Sequence, residues 1–596
     1  MRKLERFDNL VAMFFTRAAE KGDARFLWHK AGGAWHPTSW AEAARQVASL
    51  AAALKALGLK PGDRVMLVSE NRPEFCISDL AIMAAGCVTV PTYTTNTERD
   101  HQHILENSGA CAVIVSNTKL AKTLLPAMLR SSAGRIVIGI DDVRLAQQGS
   151  LEFHDFRELI AAHPTDAATA AAQATFKRED LACIIYTSGT GGSPRGVMQH
   201  HGAILHNCQG CTAIISEDFG WADEVFLSFL PLSHAYEHTG GQFFPIALGG
   251  QIYYSEGLEK LASNIEEVRP TIMVVVPRLF EVLRTRITKQ VEKQGSFATY
   301  LLEKAVAIGA RKAAGKSGIA DAPMNLLLNA TLRPKLAKRF GGRLKAMVSG
   351  GAPLNPDVGK FFQAMGVTML QGYGQTEAAP VISCNRPKTG IKLDTVGTPL
   401  KDTELRIADD GEILIRGELV MRGYWNNAEE TARVLHDGWL HSGDIGHLDA
   451  QGRLVITDRK KDLIINDKGD NVAPQRVEGM LTLEPEIMQA MVAGDRRPHL
   501  VGLIVPDPEW SREWAEANGA SYDPVVLRDN EAYRRALGAA VDRVNAGLSV
   551  IEKLRRFLIA DEPFTIENEM LTPSLKIRRH VIRRVYGERL DALYRA

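Results

Sequence analysis

The stretch LACIIYTSGTGGSPRGV, residues 181–197, joins an apolar run typical of a buried strand to a loop of small, hydroxyl-bearing and basic residues. Glycine adopts positive φ without steric cost, so such a loop can turn several backbone N–H groups towards one anion. The side chains and glycines expected to hold phosphate are Thr187, Ser188, Gly189, Thr190, Gly191, Gly192 and Arg195. The next residues, HHGAILHNCQG, predict the opening of a helix.

The loop lacks the Gly-Lys-Ser/Thr ending of the phosphate loop found in kinases and GTPases, which excludes that comparison. It resembles instead the T-S-G-T-T-G-x-P-K-G motif of the adenylate-forming enzymes, which include acyl-CoA synthetases, luciferases and nonribosomal-peptide adenylation domains. Gly191 stands where that family has a second Thr, and Arg195 stands where it has Lys. Glycine keeps the backbone donors and arginine keeps the charge, although the missing hydroxyl can weaken one contact with pyrophosphate. Taken alone, the loop could also be an ordinary Gly/Ser surface loop.

A second motif, GYGQTE at residues 372–377, follows an apolar run, and SGGAP at residues 349–353 precedes it. The resemblance implies that Tyr373 stacks on adenine, Thr376 binds the α-phosphate and Glu377 holds Mg²⁺, a cation that favours carboxylate and phosphate oxygen. A lone Glu in a Gly-rich turn is otherwise simply solvated. The same resemblance assigns nucleotide contacts to Gly351, Ala352, Pro353, Gly372, Gly374 and Gln375, and a place at the acyl or CoA site to Gly350.

Two further motifs resemble the family's ribose site and hinge. Asp444 ends the stretch DGWLHSGD, and its carboxylate can accept hydrogen bonds from both ribose hydroxyls. In TDRKKD, residues 457–462, the resemblance places Arg459 at the ribose and Lys461 at the pivot, and it brings Gly469 to the CoA tunnel. Without these neighbours, a charged cluster of this kind is a solvated turn. The expected division is an N-terminal domain of residues 1–458, a hinge of residues 459–462 and a mobile C-terminal domain of residues 463–596.

Near the end of the chain, LTPSLKIRR at residues 571–579 resembles the family's closing motif, whose lysine is Lys576 here. An ammonium group between a carboxylate and the α-phosphate offsets their repulsion and stabilises the charge of the transition state. The catalytic residues expected are thus Lys576, Glu377, Thr190 and Arg195. The alternative is a basic amphipathic tail on the surface, and we expect Arg578, Arg579, Arg583 and Arg584 to be solvated or close to CoA phosphates.

The segment PLSHAYEH, residues 231–238, carries two histidines four residues apart. The glutamate is adjacent to the second histidine, so the zinc-protease pattern is not met. The segment resembles the family's P-L-x-H motif, which implies that His234 borders the acyl-binding tunnel. His238 is interpreted as structural.

Composition supports the same class of protein. The chain has 596 residues, of which 45% are apolar, and is too long for one core. Helical patterns alternate with β-rich runs, which predicts an α/β fold with a large multi-lobed N-terminal part of mixed sheets flanked by helices and a small α+β C-terminal part. A net charge of +1 makes nucleic acid an unexpected partner. Seven cysteines, an odd number, favour a reducing, cytoplasmic location.

No apolar run reaches the length of a membrane span, so any membrane contact is expected to be peripheral, on the inner face. The sequence does not determine the oligomeric state, and a homodimer is compatible with it.

The resemblance covers essentially the whole chain. It implies an AMP-forming acyl-CoA synthetase that uses ATP, Mg²⁺ and coenzyme A, and the basic helical segment at residues 284–343 resembles the long-chain fatty acid branch. Three alternatives stay open: an acyl-AMP ligase that delivers to a carrier protein, an adenylating enzyme for an aryl or amino acid, and a regulator that binds ATP and fatty acid without catalysis.

Overall fold

A computed structural model describes residues 3–132, 134–143, 150–187, 194–313, 316, 318–460, 462–468, 470–572 and 576–595. The strands of these residues form five sheets. The nine-stranded sheet contains β1 (Arg25–Ala31), β2 (Ala34–Ser39), β10 (Val225–Ser228), β11 (Gln251–Tyr254), β12 (Ile272–Val275), β13 (Ala346–Ser349), β14 (Met369–Gly374), β15 (Val381–Cys384) and β16 (Thr398–Pro399). The seven-stranded sheet contains β3 (Arg64–Val68), β4 (Val88–Thr92), β5 (Ala112–Val115), β6 (Ile136–Gly139), β7 (Glu152–Asp155), β8 (Leu181–Thr187) and β9 (Arg195–His200).

The three smaller sheets follow along the chain. The five-stranded sheet contains β17 (Glu404–Ile407), β18 (Glu412–Arg416), β19 (Leu435–His436), β20 (Trp439–Leu448) and β21 (Leu454–Arg459). A two-stranded sheet pairs β22 (Ile464–Ile465) with β23 (Asn471–Val472), and a three-stranded sheet contains β24 (Ile487–Ala493), β25 (Leu500–Pro506) and β26 (Leu554–Ile559).

Helices cover the sheets. Those before residue 270 are α1 (Leu10–Lys21), α2 (Trp40–Ala56), α3 (Pro73–Ala84), α4 (Glu98–Ser108), α5 (Thr118–Arg130), α6 (Phe156–Ala162), α7 (Ala167–Gln173), α8 (His201–Asp218), α9 (Ala235–Glu237), α10 (Phe244–Leu248) and α11 (Leu261–Val268). Those after it are α12 (Pro277–Glu292), α13 (Ser296–Ala313), α14 (Ala322–Ala330), α15 (Leu332–Arg339), α16 (Pro356–Ala364), α17 (Ala428–Val434), α18 (Pro474–Leu481), α19 (Pro508–Ala517), α20 (Pro524–Asp529), α21 (Glu531–Ala546) and α22 (Arg579–Ala592).

Both large sheets are mixed. In the seven-stranded sheet the order is β7-β6-β5-β3-β4-β8-β9, and every pair is parallel except β8 with β9. In the nine-stranded sheet β10 to β14 run parallel, with antiparallel strands at both edges. The central parallel strands, such as β3, β5, β12 and β13, consist mostly of buried apolar residues, as expected for parallel strands covered by helices. The predicted α/β class with mixed sheets flanked by helices is confirmed.

The surroundings of the predicted phosphate loop differ from the expectation in one respect. Strand β8 covers the predicted apolar run, and α8 begins at His201 as expected. Between them lies β9, which pairs antiparallel with β8, so a second strand precedes the helix. Arg195 is the first residue of that strand, which the loop pattern alone did not indicate.

The last part of the chain has cores of its own. Two clusters of buried apolar side chains lie wholly within residues 464–590, one around α18 and α21 and the other around α22. Among the described helices, none is both long and apolar enough to cross a bilayer. All seven cysteines lie in the described part of the chain, and each is an unpaired thiol.

Candidate active site

The candidate site lies where β9, the end of β14 and residues 421–425 meet. Met198 exchanges backbone hydrogen bonds with this segment: its N–H donates to the carbonyl of Gly423 at 3.0 Å, and its carbonyl accepts from Arg422 at 3.0 Å. The N–H of Trp425 donates to the carbonyl of Gly196 at 2.7 Å. The strand that follows the predicted phosphate loop is thereby fixed beside the five-stranded sheet.

The turn that follows β14 is held from two sides. The Gln199 side chain, fully buried on β9, donates from Nε2 to the Thr376 carbonyl at 2.8 Å. The Tyr424 hydroxyl donates to Oε1 of Glu377 at 2.7 Å, and the Met421 N–H donates to the Glu377 carbonyl at 2.9 Å. These contacts orient the Glu377 carboxylate and occupy one of its oxygens, which leaves acceptor capacity on the other.

Gly374, the last residue of β14, permits the close approach of the next strand. A Cβ atom at this position would lie 1.9 Å from the carbonyl oxygen of Pro380. No side chain fits there without movement of the backbone, which explains why the last residue of the GYG motif is glycine. The turn bearing Thr376 and Glu377 is tight for that reason.

Asp444 connects two predicted nucleotide residues. Its Oδ2 accepts from the Tyr373 hydroxyl at 2.6 Å, and its Oδ1 accepts from Nε of Arg459 at 3.1 Å. The pairing of β20 with β21 sets Asp444 directly opposite Arg459, which explains how residues 15 apart come together. Asp444 is buried, and each carboxylate oxygen can still accept another hydrogen bond.

Lys576, near the end of the chain, lies close to Asp444, Arg459 and Glu377. Its backbone is held by Thr572, whose N–H donates to the Lys576 carbonyl at 2.8 Å and whose Oγ1 accepts from the Lys576 N–H at 3.0 Å. The pKa of Lys576 is lowered to about 8, first by desolvation of its ammonium group and next by the charge of Arg459, whereas Asp444 and Glu377 act in the opposite direction. The ammonium group therefore shares one electrostatic environment with three predicted site residues.

His234, a half-buried residue before α9, lies within electrostatic reach of Lys576. Its Nδ1 accepts from the Tyr236 N–H at 3.1 Å. Desolvation, together with the charge of Lys576, lowers the pKa of His234 to about 3, so the ring is neutral at physiological pH. Tyr236 is buried, donates its hydroxyl to the Val348 carbonyl at 2.9 Å, and lies so close to Gly350 that a Cβ there would be 2.9 Å from its ring.

A buried polar cluster lies next to His234 along the chain, on α9 and the π-helix His238–Phe243. The Asp79 carboxylate on α3 accepts hydrogen bonds from Nε2 of His238 at 2.9 Å and from Nε2 of Gln242 at 2.6 Å. Glu237 accepts from the Ser228 hydroxyl at 2.6 Å, and burial raises the pKa of Glu237 to about 8. The interpretation of His238 as a structural residue agrees with these contacts.

Glu237 predicts a pH dependence of stability. Its carboxyl group keeps a proton in the folded protein up to about pH 8, but ionises near 4.5 when exposed, so between these values the unfolded chain binds fewer protons. The contribution of Glu237 to the free energy of unfolding is fully present below pH 4.5. It is lost as pH rises to about 8, by at most about 1.4 kcal/mol per pH unit. We expect Glu237→Gln to remove this slope from the free energy of urea unfolding. Glu303→Gln on exposed α13 should keep it; equal slopes in wild type and Glu237→Gln would contradict the assignment.

Known proteins share this architecture. A family model described as AMP-binding enzyme matches residues 14–425. The long-chain-fatty-acid--CoA ligase FadD15 of Mycobacterium tuberculosis is 31% identical over 594 residues, which cover 98% of this chain and 97% of that protein. The peroxisomal long chain acyl-CoA synthetase 7 of Arabidopsis thaliana is 30% identical and is matched over 93% of this chain and 81% of its own length. This chain belongs to the AMP-binding enzyme family.

Solved structures of low sequence identity show the same fold. The adenylation domain of a carboxylate reductase from Mycobacterium chelonae superimposes with a TM-score of 0.79 at 23% identity, covering 99% of this chain and 92% of the other. The anthranilate CoA ligase AuaEII superimposes with a TM-score of 0.72 at 20% identity, over 98% of each chain.

In this AMP-binding enzyme, seven of the sixteen predicted site residues that the structure describes lie close together. They are Tyr373, Thr376, Glu377, Asp444, Arg459, Lys576 and His234. Thr187 ends β8 at the start of the predicted loop, and Gly351, Ala352 and Pro353 form an exposed turn after β13. The predicted residues Ser188, Gly189, Thr190, Gly191, Gly192, Lys461 and Gly469 lie outside the described residues.

Arg195 has a partner in the protein itself. Its Nη1 donates to Oε2 of Glu430 at 2.7 Å, and its guanidinium lies 4.6 Å from the ring centre of Tyr424. Tyr424 also donates to the Glu377 carboxylate, so the packing of Arg195 on Tyr424 helps to hold the side chain that orients Glu377. The contact with Glu430 uses Nη1, so the guanidinium has further N–H donors for a phosphate group.

Sequence reasoning missed Gln199, Tyr424 and Glu430. None of them belongs to a motif with a chemical signature, since Gln, Tyr and Glu are ordinary residues on a strand, a loop and a helix. Their importance comes from contacts across 47 to 235 positions of sequence. A pattern within a short window contains no signal of that kind.

Proposed function

We propose that this AMP-binding enzyme is a long-chain fatty acid–CoA ligase. It converts ATP, a long-chain fatty acid and CoA into acyl-CoA, AMP and pyrophosphate through an acyl-adenylate. The observation that carries the proposal is the position of Lys576, whose ammonium lies within electrostatic reach of Glu377, Asp444 and Arg459. The names of the relatives that match nearly the whole chain support the long-chain substrate.

In the first step, a carboxylate oxygen of the fatty acid attacks the α-phosphorus of ATP, and the bond to the bridging oxygen of pyrophosphate breaks. Lys576 stands between the two anions and stabilises the charge that develops on the α-phosphate. Asp444 accepts from the ribose hydroxyls while Arg459 and Tyr373 hold its carboxylate in place. Binding both substrates in one cleft supplies the proximity that the reaction needs.

The residues fit the Mg²⁺ that ATP carries. Glu377 is half-buried, one of its oxygens is oriented by Tyr424, and the other remains available to a hard cation whose remaining ligands are phosphate and water. Bound there, Mg²⁺ would neutralise phosphate charge. No group of three or more potential metal ligands occurs among the described residues, which suits a cation shared with the substrate.

In the second step, the thiol of CoA attacks the acyl carbonyl carbon, the bond to the AMP oxygen breaks, and the thiol proton passes to solvent. We propose that residues 463–596 form a mobile domain that rotates about the hinge at residues 459–462, with Lys461 as pivot. The rotation withdraws Lys576 and brings Gly469 to the path of the thiol. We also place the enzyme in the cytoplasm, in peripheral contact with the inner face of a membrane.

The test is AMP release from ATP and Mg²⁺ with a ladder of fatty acids from butanoate to icosanoate, each with and without CoA. The proposal predicts turnover that requires CoA and is greatest with long chains. Acyl-adenylate that accumulates and does not react with CoA would favour transfer to a carrier protein. Absence of adenylation with every fatty acid would overturn the proposal and favour another carboxylate or a binding role.

A further inference from the structure

The helical unit α12–α15, residues 277–339, concentrates positive charge. It contains 13 Lys and Arg against four Asp and Glu, within a chain whose net charge is +1. The remainder of the protein is therefore net negative, so the charge is segregated onto this one unit. Such a distribution favours contact with an anionic surface.

Several of these cations are free to meet such a surface. Lys293, Lys304, Lys335 and Lys338 are exposed, and none forms an ion pair with a carboxylate in the part of the chain that the structure describes. Lys304 also lies 5.2 Å from the ring centre of its neighbour Tyr300. An unpaired lysine keeps its full charge for an external partner.

The same unit exposes large apolar side chains. Phe297 is 64% exposed and Tyr300 44% exposed on α13, and Leu326 is 73% and Leu327 37% exposed on α14. The spacing of Phe297, Tyr300 and Lys304 places them along one edge of α13, whereas Leu301, Leu302, Ala305 and Ile308 face the core. The core beneath is filled by other side chains, so a large part of each of these four exposed side chains faces solvent.

Apolar and aromatic side chains beside lysines suit one occupant, the interface of an anionic lipid bilayer. Leu and Phe side chains insert between acyl chains, Tyr sits at the headgroup level, and each nearby lysine adds electrostatic attraction. The unit also begins at the site: Val276, the residue before α12, lies 4.0 Å from where a Cβ on Gly351 would be. A substrate with a long alkyl chain resides in such a bilayer.

We propose that the outer face of α12–α14, marked by Phe297, Tyr300, Leu326 and Leu327 and flanked by lysines, docks this protein onto an anionic membrane surface. The purpose of this docking rests on the proposed function, because a fatty acid ligase would collect its substrate from the membrane. The binding itself requires no catalysis and can be tested independently.

The experiment is co-sedimentation of the full chain with vesicles of phosphatidylcholine alone and of phosphatidylcholine with about one third phosphatidylglycerol. We expect binding only to the anionic vesicles, weakening as salt is raised. Phe297→Ser with Leu326→Ser should weaken it by about tenfold or more, since two large apolar side chains no longer insert. Val550→Ser, at a residue also 73% exposed but in the C-terminal part, is the matched control and should bind as wild type.

Activity separates this proposal from the proposed function. The double variant should keep wild-type activity with a short, water-soluble fatty acid and lose activity with a long-chain acid supplied in anionic vesicles. The docking surface is overturned if the wild-type protein does not bind vesicles, even if ligase activity is present. It is also overturned if the double variant binds as well as the wild type or as well as Val550→Ser. Self-association that the double variant abolishes, with vesicle binding unchanged, would identify a second copy of this chain as the occupant instead.

Discussion

Replacing Lys576 by alanine is expected to slow acyl-adenylate formation by about 10²- to 10³-fold, the loss typical of one transition-state donor. Thioester formation from supplied acyl-adenylate and CoA should stay close to wild type, because the proposed rotation withdraws this residue before the second step. The measurement is single-turnover kinetics of each half-reaction. Lys553→Ala, at a lysine outside the cleft, is the control, and equal loss in both half-reactions would contradict the two-step use of the site.

The same lysine predicts a pH profile. Its pKa of about 8 means that the free enzyme carries the ammonium below that pH and a neutral amine above it. The value of kcat/KM for adenylation, which reports the free enzyme, should therefore decline as pH rises through about 8. Lys576→Arg should restore part of the activity and remove this decline, because arginine stays charged throughout. A decline that persists unchanged in the arginine variant would assign it to another group.

Replacing Asp444 by alanine is expected to raise the KM for ATP by about 10²-fold, through loss of charge-assisted hydrogen bonds to the ribose. The variant also leaves Arg459 and the hydroxyl of buried Tyr373 without their acceptor, so part of the effect is structural. A comparison of ATP with 2′,3′-dideoxy-ATP separates the two causes. Wild type should prefer ATP strongly, and Asp444→Ala should lose that preference.

Asp437→Ala provides the control for Asp444, because Asp437 lies in the same motif with its side chain 87% exposed. It should leave the KM for ATP unchanged. Urea unfolding of both variants checks that the five-stranded sheet remains intact. If Asp444→Ala raises the KM for ATP but keeps the wild-type preference over the dideoxy nucleotide, Asp444 acts only by positioning Tyr373 and Arg459.

Local patterns predicted many of the elements correctly. The run LACIIYT forms β8 with the bounds expected, and the α/β class follows from alternating helical and β-rich segments. These are properties of short windows, since strand and helix periodicity reflect which residues one face buries. Strand β9 was missed because its residues, RGVMQH, lack clear alternation and are recruited by pairing with β8 and residues 422–425.

The sequence by itself determined which chemical groups this protein possesses: a Gly-rich loop, the carboxylates Glu377 and Asp444, the tyrosine of GYG and a lysine close to the C-terminus. Only the tertiary structure brought Tyr373, Glu377 and Asp444 together with Lys576, because Lys576 lies 132 positions after Asp444 and reaches it through sheet order and packing rather than local preference. It also decided the supporting contacts of Gln199, Tyr424 and Glu430. Hydrogen bonds between distant segments depend on how whole layers stack, and no short stretch of sequence encodes that geometry.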